Sequence, residues 1–246
     1  MENDRLLKDR VILVTGAGQG IGRAAARTFA AQGATVILLG RSVAKLEQVY
    51  DEIIAAGGPM PAIFPMDLEK ADDPDFETLA QTIGQQLRRL DGILHCAASF
   101  VRPSPLGLQT AAQWRVLFKV NAIAPFAINQ ACQPLLGAAP DAAVILLGES
   151  HGHAPRAYWG GFAVAKAALE AYFLIQAQEW DDLTNLRINL VIPGPIHSPQ
   201  RTLSHPGEAK DALPTPENLA VDLARLIGPE GRRRRSEIIE WARTVQ

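Results

Sequence analysis

The first residues able to do chemistry form a glycine cluster, Thr15-Gly16-Ala17-Gly18-Gln19-Gly20-Ile21-Gly22. Glycines at this spacing let a backbone turn tightly and approach a pyrophosphate, whose charge rests on the positive end of the helix that follows. The cluster alone is weak evidence, but it stands between a short apolar run, 11–15, and an alanine-rich helical run, which is the context such a loop needs. The next apolar run ends in Leu39-Gly40-Arg41-Ser42. A carboxylate there would bond a ribose 2′-hydroxyl and select NAD, whereas arginine accommodates the 2′-phosphate of NADP. Arg41, with no carboxylate beside it, favours NADP(H) over NAD(H).

These residues need elements to hold them. Short β-branched runs at 11–15, 35–39, 62–64, 92–96, 143–147, 187–192 and 237–240 alternate with helical patterns at 20–31, 43–56, 74–89, 110–137, 158–181 and 216–227. That alternation predicts an α/β chain: one Rossmann domain over 1–246, a doubly wound parallel sheet of about seven strands with helices on both faces. Residues 193–216 break the pattern with Pro193, Pro195, Pro199, Pro206, Pro214 and Pro216. If this segment follows a strand's carboxyl end it is a substrate flap beside the binding crevice; otherwise it is a surface connector.

Composition excludes several classes. The chain has 246 residues, 48% hydrophobic and 20% charged, in the range of globular proteins. A net charge of −2 gives no basic field for nucleic acid or an anionic membrane, and Arg232-Arg-Arg-Arg235 reads as a solvated turn. Two cysteines are too few for a disulfide framework and suit a reducing compartment. The N-terminal residues lack an apolar signal-peptide core, and no apolar run is long enough to span a bilayer, so the expectation is a cytoplasmic protein.

The spacing Thr15-Gly16-x3-Gly20-x-Gly22 resembles the fingerprint of the short-chain dehydrogenase/reductase family, and the likeness runs over about residues 8–241. Asp67-Leu68 falls where that family contacts adenine, Asn121 matches its helix asparagine, and Pro193-Gly194-Pro195-Ile196 matches the loop that holds the nicotinamide carboxamide. The resemblance therefore implies a cofactor site of Gly16, Gly18, Gln19, Gly20, Ile21, Gly22, Arg41, Asp67, Leu68, Ala97, Asn121, Lys166, Pro193, Gly194 and Ile196, with no metal. It also implies carbonyl reduction or alcohol oxidation by hydride transfer, on a small-molecule substrate that the sequence does not identify. Similar members pair two long helices into a four-helix interface; the apolar stretches 110–137 and 158–181 imply a homodimer or homotetramer here.

The family's catalytic signature is broken. Its usual tyrosine delivers a proton, a lysine four residues on lowers that tyrosine's pKa, and a serine thirteen residues before it orients the substrate oxygen. Lys166 is present, but Phe162 stands at the tyrosine position and Glu149 at the serine position. Glu149 reads either as an ion-pair partner of Lys166 or as a substitute acid. Tyr158, one helical turn earlier, Ser150, and the histidines His151 and His153 are the other nearby groups. Cys96-Ala97-Ala98 replaces the family's Asn-Ala-Gly; Ala98 adds a methyl beside the cofactor, and Cys96 reads as a small buried apolar residue. Two functions stay open: an NADP(H)-dependent oxidoreductase whose proton donor is impaired or reassigned, and a catalytically silent NADP(H)-binding scaffold or regulatory partner.

Overall fold

In β1 (Val11–Thr15) successive side chains enter different cores. Ile12 and Val14 pack with Phe29 and Leu223 on one side of the sheet, Val11 and Leu13 with Phe76 and Phe173 on the other. A strand buried on both faces needs apolar residues at every position, which is why the run 11–15 shows no polar alternation. The computed structural model describes residues 5–241; residues 1–4 and 242–246, the ends of the expected span 1–246, lie outside the described residues.

Strands β1, β2 (Thr35–Gly40), β3 (Ala62–Pro65), β4 (Gly92–His95), β5 (Ala142–Leu147), β6 (Leu186–Ile192) and β7 (Ile238–Glu240) form one seven-stranded sheet in the order β3-β2-β1-β4-β5-β6-β7. Every neighbouring pair is parallel, as the strand–helix alternation predicts. The helices in chain order are α1 (Gly20–Ala31), α2 (Val43–Ala55), α3 (Asp73–Gln86), α4 (Ala111–Phe118), α5 (Ala124–Ala138), α6 (Ser150–His153), α7 (Gly160–Glu179), α8 (Pro199–Ser204) and α9 (Pro216–Ile227). One core takes residues from α1, α2 and α9, the other from α3, α5 and α7, so both faces are covered. Strand order reverses between β1 and β4, and in such sheets ligands sit beyond the carboxyl ends of the strands at that point. Among the described residues no helix is long and apolar enough to cross a membrane.

Three helical expectations change. The run 110–137 is not one helix: a π-helical turn, Lys119–Ile123, separates α4 from α5. Such a turn holds one residue more than an α turn, and here it carries the buried Asn121. The run 158–181 starts two residues late, because Tyr158 and Gly160 both have positive φ, 74° and 39°, and turn the chain before the helix begins. The flap 193–216 contains α8, whose start is fixed by Ser198 Oγ accepting from the Arg201 N–H at 3.1 Å with Pro199 in the first helical position.

Candidate cofactor and active site

The cavity begins where α1 leaves β1. Thr15 Oγ1 accepts from the N–H groups of Cys96 and Ala97, both at 3.1 Å, and so ties the end of β1 to the chain leaving β4. Gly16 has φ +67°, and a Cβ on it would lie 2.8 Å from the Ala97 Cα. A Cβ on Gly22 would lie 2.3 Å from the Gly16 carbonyl oxygen. Glycine at these two positions lets helix, turn and neighbouring strand meet backbone to backbone.

The resulting cavity measures about 740 Å³. Gly16, Gly18, Gln19, Gly20, Ile21 and Gly22 form its floor, with Arg41, Asp67 and Leu68 at one end. Ala97, Glu149, Phe162, Lys166, Pro193, Gly194 and Ile196 lie toward the other. Ala98 and Cys96 also line it; burial pushes the Cys96 thiol above its usual range, so it stays protonated. Asn121 stands behind the wall rather than on it. Its Nδ2 donates to the carbonyls of Ser99 (2.9 Å) and Leu117 (2.8 Å), and its Oδ1 accepts from the Ser99 N–H at 3.2 Å. Asn121 thus anchors the chain after β4 that lines the cavity.

Two residues at the Arg41 end escaped the sequence reading. Ser42 precedes the first turn of α2 and Lys45 lies within it; both line the cavity, and Lys45 Nζ donates to Gln19 Oε1 at 2.7 Å. Their signal was the Ser42-x-x-Lys45 start of the helix that follows Arg41. Among the described residues no carboxylate pairs with Arg41. A free guanidinium, a lysine and a helix start at one rim suit a phosphate, and a glycine floor in which Gly16 and Gly22 leave no room for a Cβ suits the pyrophosphate.

At the other end Lys166 is buried, and its Nζ donates to the Leu147 carbonyl at 2.8 Å. Burial lowers its pKa to about 8, with Glu149 opposing the shift through its charge. The expected Glu149–Lys166 ion pair does not form. Glu149 Oε1 instead meets His151 Nδ1 at 2.9 Å and also accepts from the His151 N–H at 3.4 Å, because Glu149 sits at the start of α6 and its side chain folds over that helix's first residues.

The remaining candidates separate by position. Phe162 is 1% exposed, packs with Leu117 and Ala165, and meets the Phe100 ring edge-on at 5.0 Å. Tyr158 is 60% exposed and is absent from the cavity wall. His153 pairs outside the cavity with Glu170 at 2.8 Å. His151 and Ser150 line the cavity, as do Trp159 and, from the flap, Arg201 and His205. Residues of α8 and its neighbours in 193–205 line one wall of the cavity, and Arg201 is bonded twice to Glu208 at 2.6 Å. Among the described residues no group of histidine, cysteine, aspartate and glutamate could hold a metal ion.

Comparison with known proteins gives a consistent answer. The family model described as short chain dehydrogenase matches residues 10–208. Uncharacterized oxidoreductase YciK of Escherichia coli (strain K12) is 38% identical over 229 residues, covering 93% of this chain and 90% of that protein. A short chain dehydrogenase from Escherichia coli CFT073, complexed with NADPH, is 37% identical with TM-score 0.93, covering 97% of this chain and 98% of its own. One from Shigella flexneri 2a str. 301, complexed with NADP, is 36% identical with TM-score 0.93, covering 97% and 99%.

Proposed function

The chain belongs to the short-chain dehydrogenase family, and from that membership we propose an NADP(H)-dependent oxidoreductase acting on a carbonyl or alcohol, with a proton donor other than tyrosine. The observation that carries the reading is the single cavity joining the Arg41–Lys45 rim, the glycine floor and Lys166. The NADPH and NADP complexes of two structural neighbours support the same cofactor. When bound, NADPH supplies a hydride to a carbonyl carbon.

The chain's own residues do the rest. Arg41, Ser42 and Lys45 take the 2′-phosphate, and the first-turn amides of α1, which lack partners within the helix, take the pyrophosphate. Asp67 and Leu68 border the adenine, and Pro193, Gly194 and Ile196 border the nicotinamide. Lys166, fixed to Leu147, hydrogen-bonds the ribose on the nicotinamide side. Phe162 and Phe100 exclude water and present an apolar wall, which favours flat aromatic carbonyl substrates. Phe162 has no proton to give, and that observation keeps a second reading in play: a silent NADP(H)-binding protein.

Measurement separates the two. Fluorescence titration should show NADPH binding more tightly than NADH, and consumption of NADPH with a panel of aldehydes, ketones and quinones should follow. Tight binding without consumption would favour the silent protein; equal or tighter NADH binding would overturn the cofactor assignment.

A homo-oligomer is part of the same proposal. Phe126 of α5 is 45% exposed and meets Tyr172 of α7 edge-on at 5.8 Å, while Ile123 of the π-helical turn and Val164, Leu174 and Ile175 of α7 are also exposed. A second copy of the chain would cover these apolar side chains.

A further inference from the structure

We propose that His151, held by Glu149, is the catalytic residue that exchanges the substrate's proton in place of the missing tyrosine. This deepens the oxidoreductase reading and rests on it.

Three geometrical facts carry the assignment. The Nδ1 of His151 is committed to Glu149 Oε1 at 2.9 Å, which leaves Nε2 as the ring nitrogen available to a ligand; among the described residues nothing else engages it. The imidazole lies flat on Trp159, ring centres 3.6 Å apart and planes 11° from parallel, so the ring is clamped and an indole face is available to its cationic form. His151, Glu149, Trp159, Phe162 and Lys166 all line one cavity. A carboxylate on one ring nitrogen fixes the tautomer and orientation of an imidazole and stabilises the imidazolium. Glu149 therefore occupies the usual serine position but serves the histidine two residues on.

The other titratable groups near the ring do not replace it. His205, from the flap, lies 6.0 Å from Trp159 between ring centres, but its Nδ1 contacts Ser204 Oγ at 2.9 Å. Burial, and then the neighbouring Arg201, shift the His205 pKa below its ordinary value, which disfavours the charged imidazolium. Lys166, from α7, is bonded to Leu147. Tyr158 and His153 do not line the cavity.

The step balances without a further reagent. In reduction the carbonyl carbon accepts the hydride, and the C=O π pair becomes the bond from oxygen to the proton that leaves Nε2. The N–H pair stays on the ring, which passes from imidazolium to neutral imidazole and is reprotonated from solvent. Oxidation of an alcohol runs the same transfers backwards.

The test uses the full chain with NADPH and two probes, nitrobenzaldehyde and phenanthrenequinone. His151→Gln should lower kcat about 100-fold or more, the loss typical of a positioned acid, with the Kd for NADPH within about twofold of the parent. Glu149→Gln should lower kcat less, about tenfold, since the ring remains but is no longer oriented. A readout free of turnover is the ring-proton NMR of the protein without cofactor. A downfield Nδ1–H resonance should be present in the parent and lost in Glu149→Gln. Failure of NADPH to bind overturns the oxidoreductase reading itself. A parent that binds NADPH and reduces neither probe overturns it too, in favour of the silent protein, whereas a His151→Gln variant at parental rate, or a parent without the downfield resonance, overturns the dyad alone.

Discussion

The Lys166 ammonium donates at 2.8 Å to the carbonyl of Leu147, the last residue of β5, and so holds a buried cation against a backbone dipole in the wall of the cavity. The desolvation of that cation has consequences for both binding and stability.

With a folded pKa of about 8 against 10.5 as the ordinary value, Lys166 loses its charge on the alkaline side of neutrality. Between about 8 and 10.5 the unfolded chain binds the proton that the folded chain has released, so this residue makes stability rise with pH across that window. Cys96, Cys132 and Tyr172, all shifted up by burial, act in the opposite sense at the alkaline end. The contribution is therefore read as a difference. Relative to Lys166→Met, the parent should gain urea-unfolding free energy from about pH 8 to 10.5. Binding of the anionic NADPH above pH 8 should take up a proton, visible by calorimetry in buffers of different ionisation enthalpy. Equal heats in all buffers would remove Lys166 from the cofactor site.

Arg41 should account for the choice of cofactor. A hydrogen bond to a charged partner contributes about 1.5–3 kcal/mol. Arg41→Ala should thus weaken NADPH binding by roughly 10- to 100-fold and leave NADH within about twofold. Parallel fluorescence titrations check this, and loss of both cofactors equally would count against a 2′-phosphate contact.

Asn121 is tested through stability. Its amide makes three hydrogen bonds from within the π-helical turn, and Asn121→Ala would remove the partner of the Ser99 N–H and one partner of the Ser99 and Leu117 carbonyls. An unsatisfied buried group costs about 1–3 kcal/mol, so chemical denaturation should show a loss of that order. NADPH affinity should fall with it, because Ser99 lines the cavity.

What the sequence disclosed and what it withheld divide by the range of the interaction. Strands such as β1 were legible because burial on both faces demands apolar residues at every position, and the glycine loop because close backbone approach demands glycine. Arg41 was legible from its place after β2. The π-helical turn was not, since the Asn121 it carries bonds Ser99 on a separate chain segment, which no local pattern announces. Side-chain direction was also beyond reach: Glu149 and Lys166 face one cavity, yet each bonds elsewhere. The helix α8 carried a Ser198-Pro199 start that the surrounding prolines masked.

The apolar surface on α5 and α7 gives a prediction about assembly. Light scattering at micromolar concentration should report a dimer or tetramer. Phe126→Glu should shift it toward monomer by placing a charge where Phe126 meets Tyr172. A monomeric parent would leave the exposed Ile175 and Leu174 without a second copy to cover them and would overturn the assembly proposal.

The last prediction asks whether the lost tyrosine can be restored, and in which background. Phe162→Tyr places a hydroxyl in a cluster of Leu117, Ala165 and Phe100, where a buried phenol needs a hydrogen-bond partner. Lys166, on the same face one helical turn on, is the cation that would lower the phenol's pKa. Glu149→Ser supplies the hydroxyl that orients a substrate oxygen but removes the carboxylate from His151. In the parent background the double change therefore exchanges one donor for another, and the net rate should change by less than about tenfold. In a His151→Gln background, with no imidazole left to lose, the same pair should restore roughly 100-fold, the lower end of what a positioned acid contributes. Single-turnover consumption of NADPH with nitrobenzaldehyde measures both. Equal gains in the two backgrounds would mean that His151 carried no proton in the parent. No gain in either would mean that position 162 no longer faces the reacting oxygen.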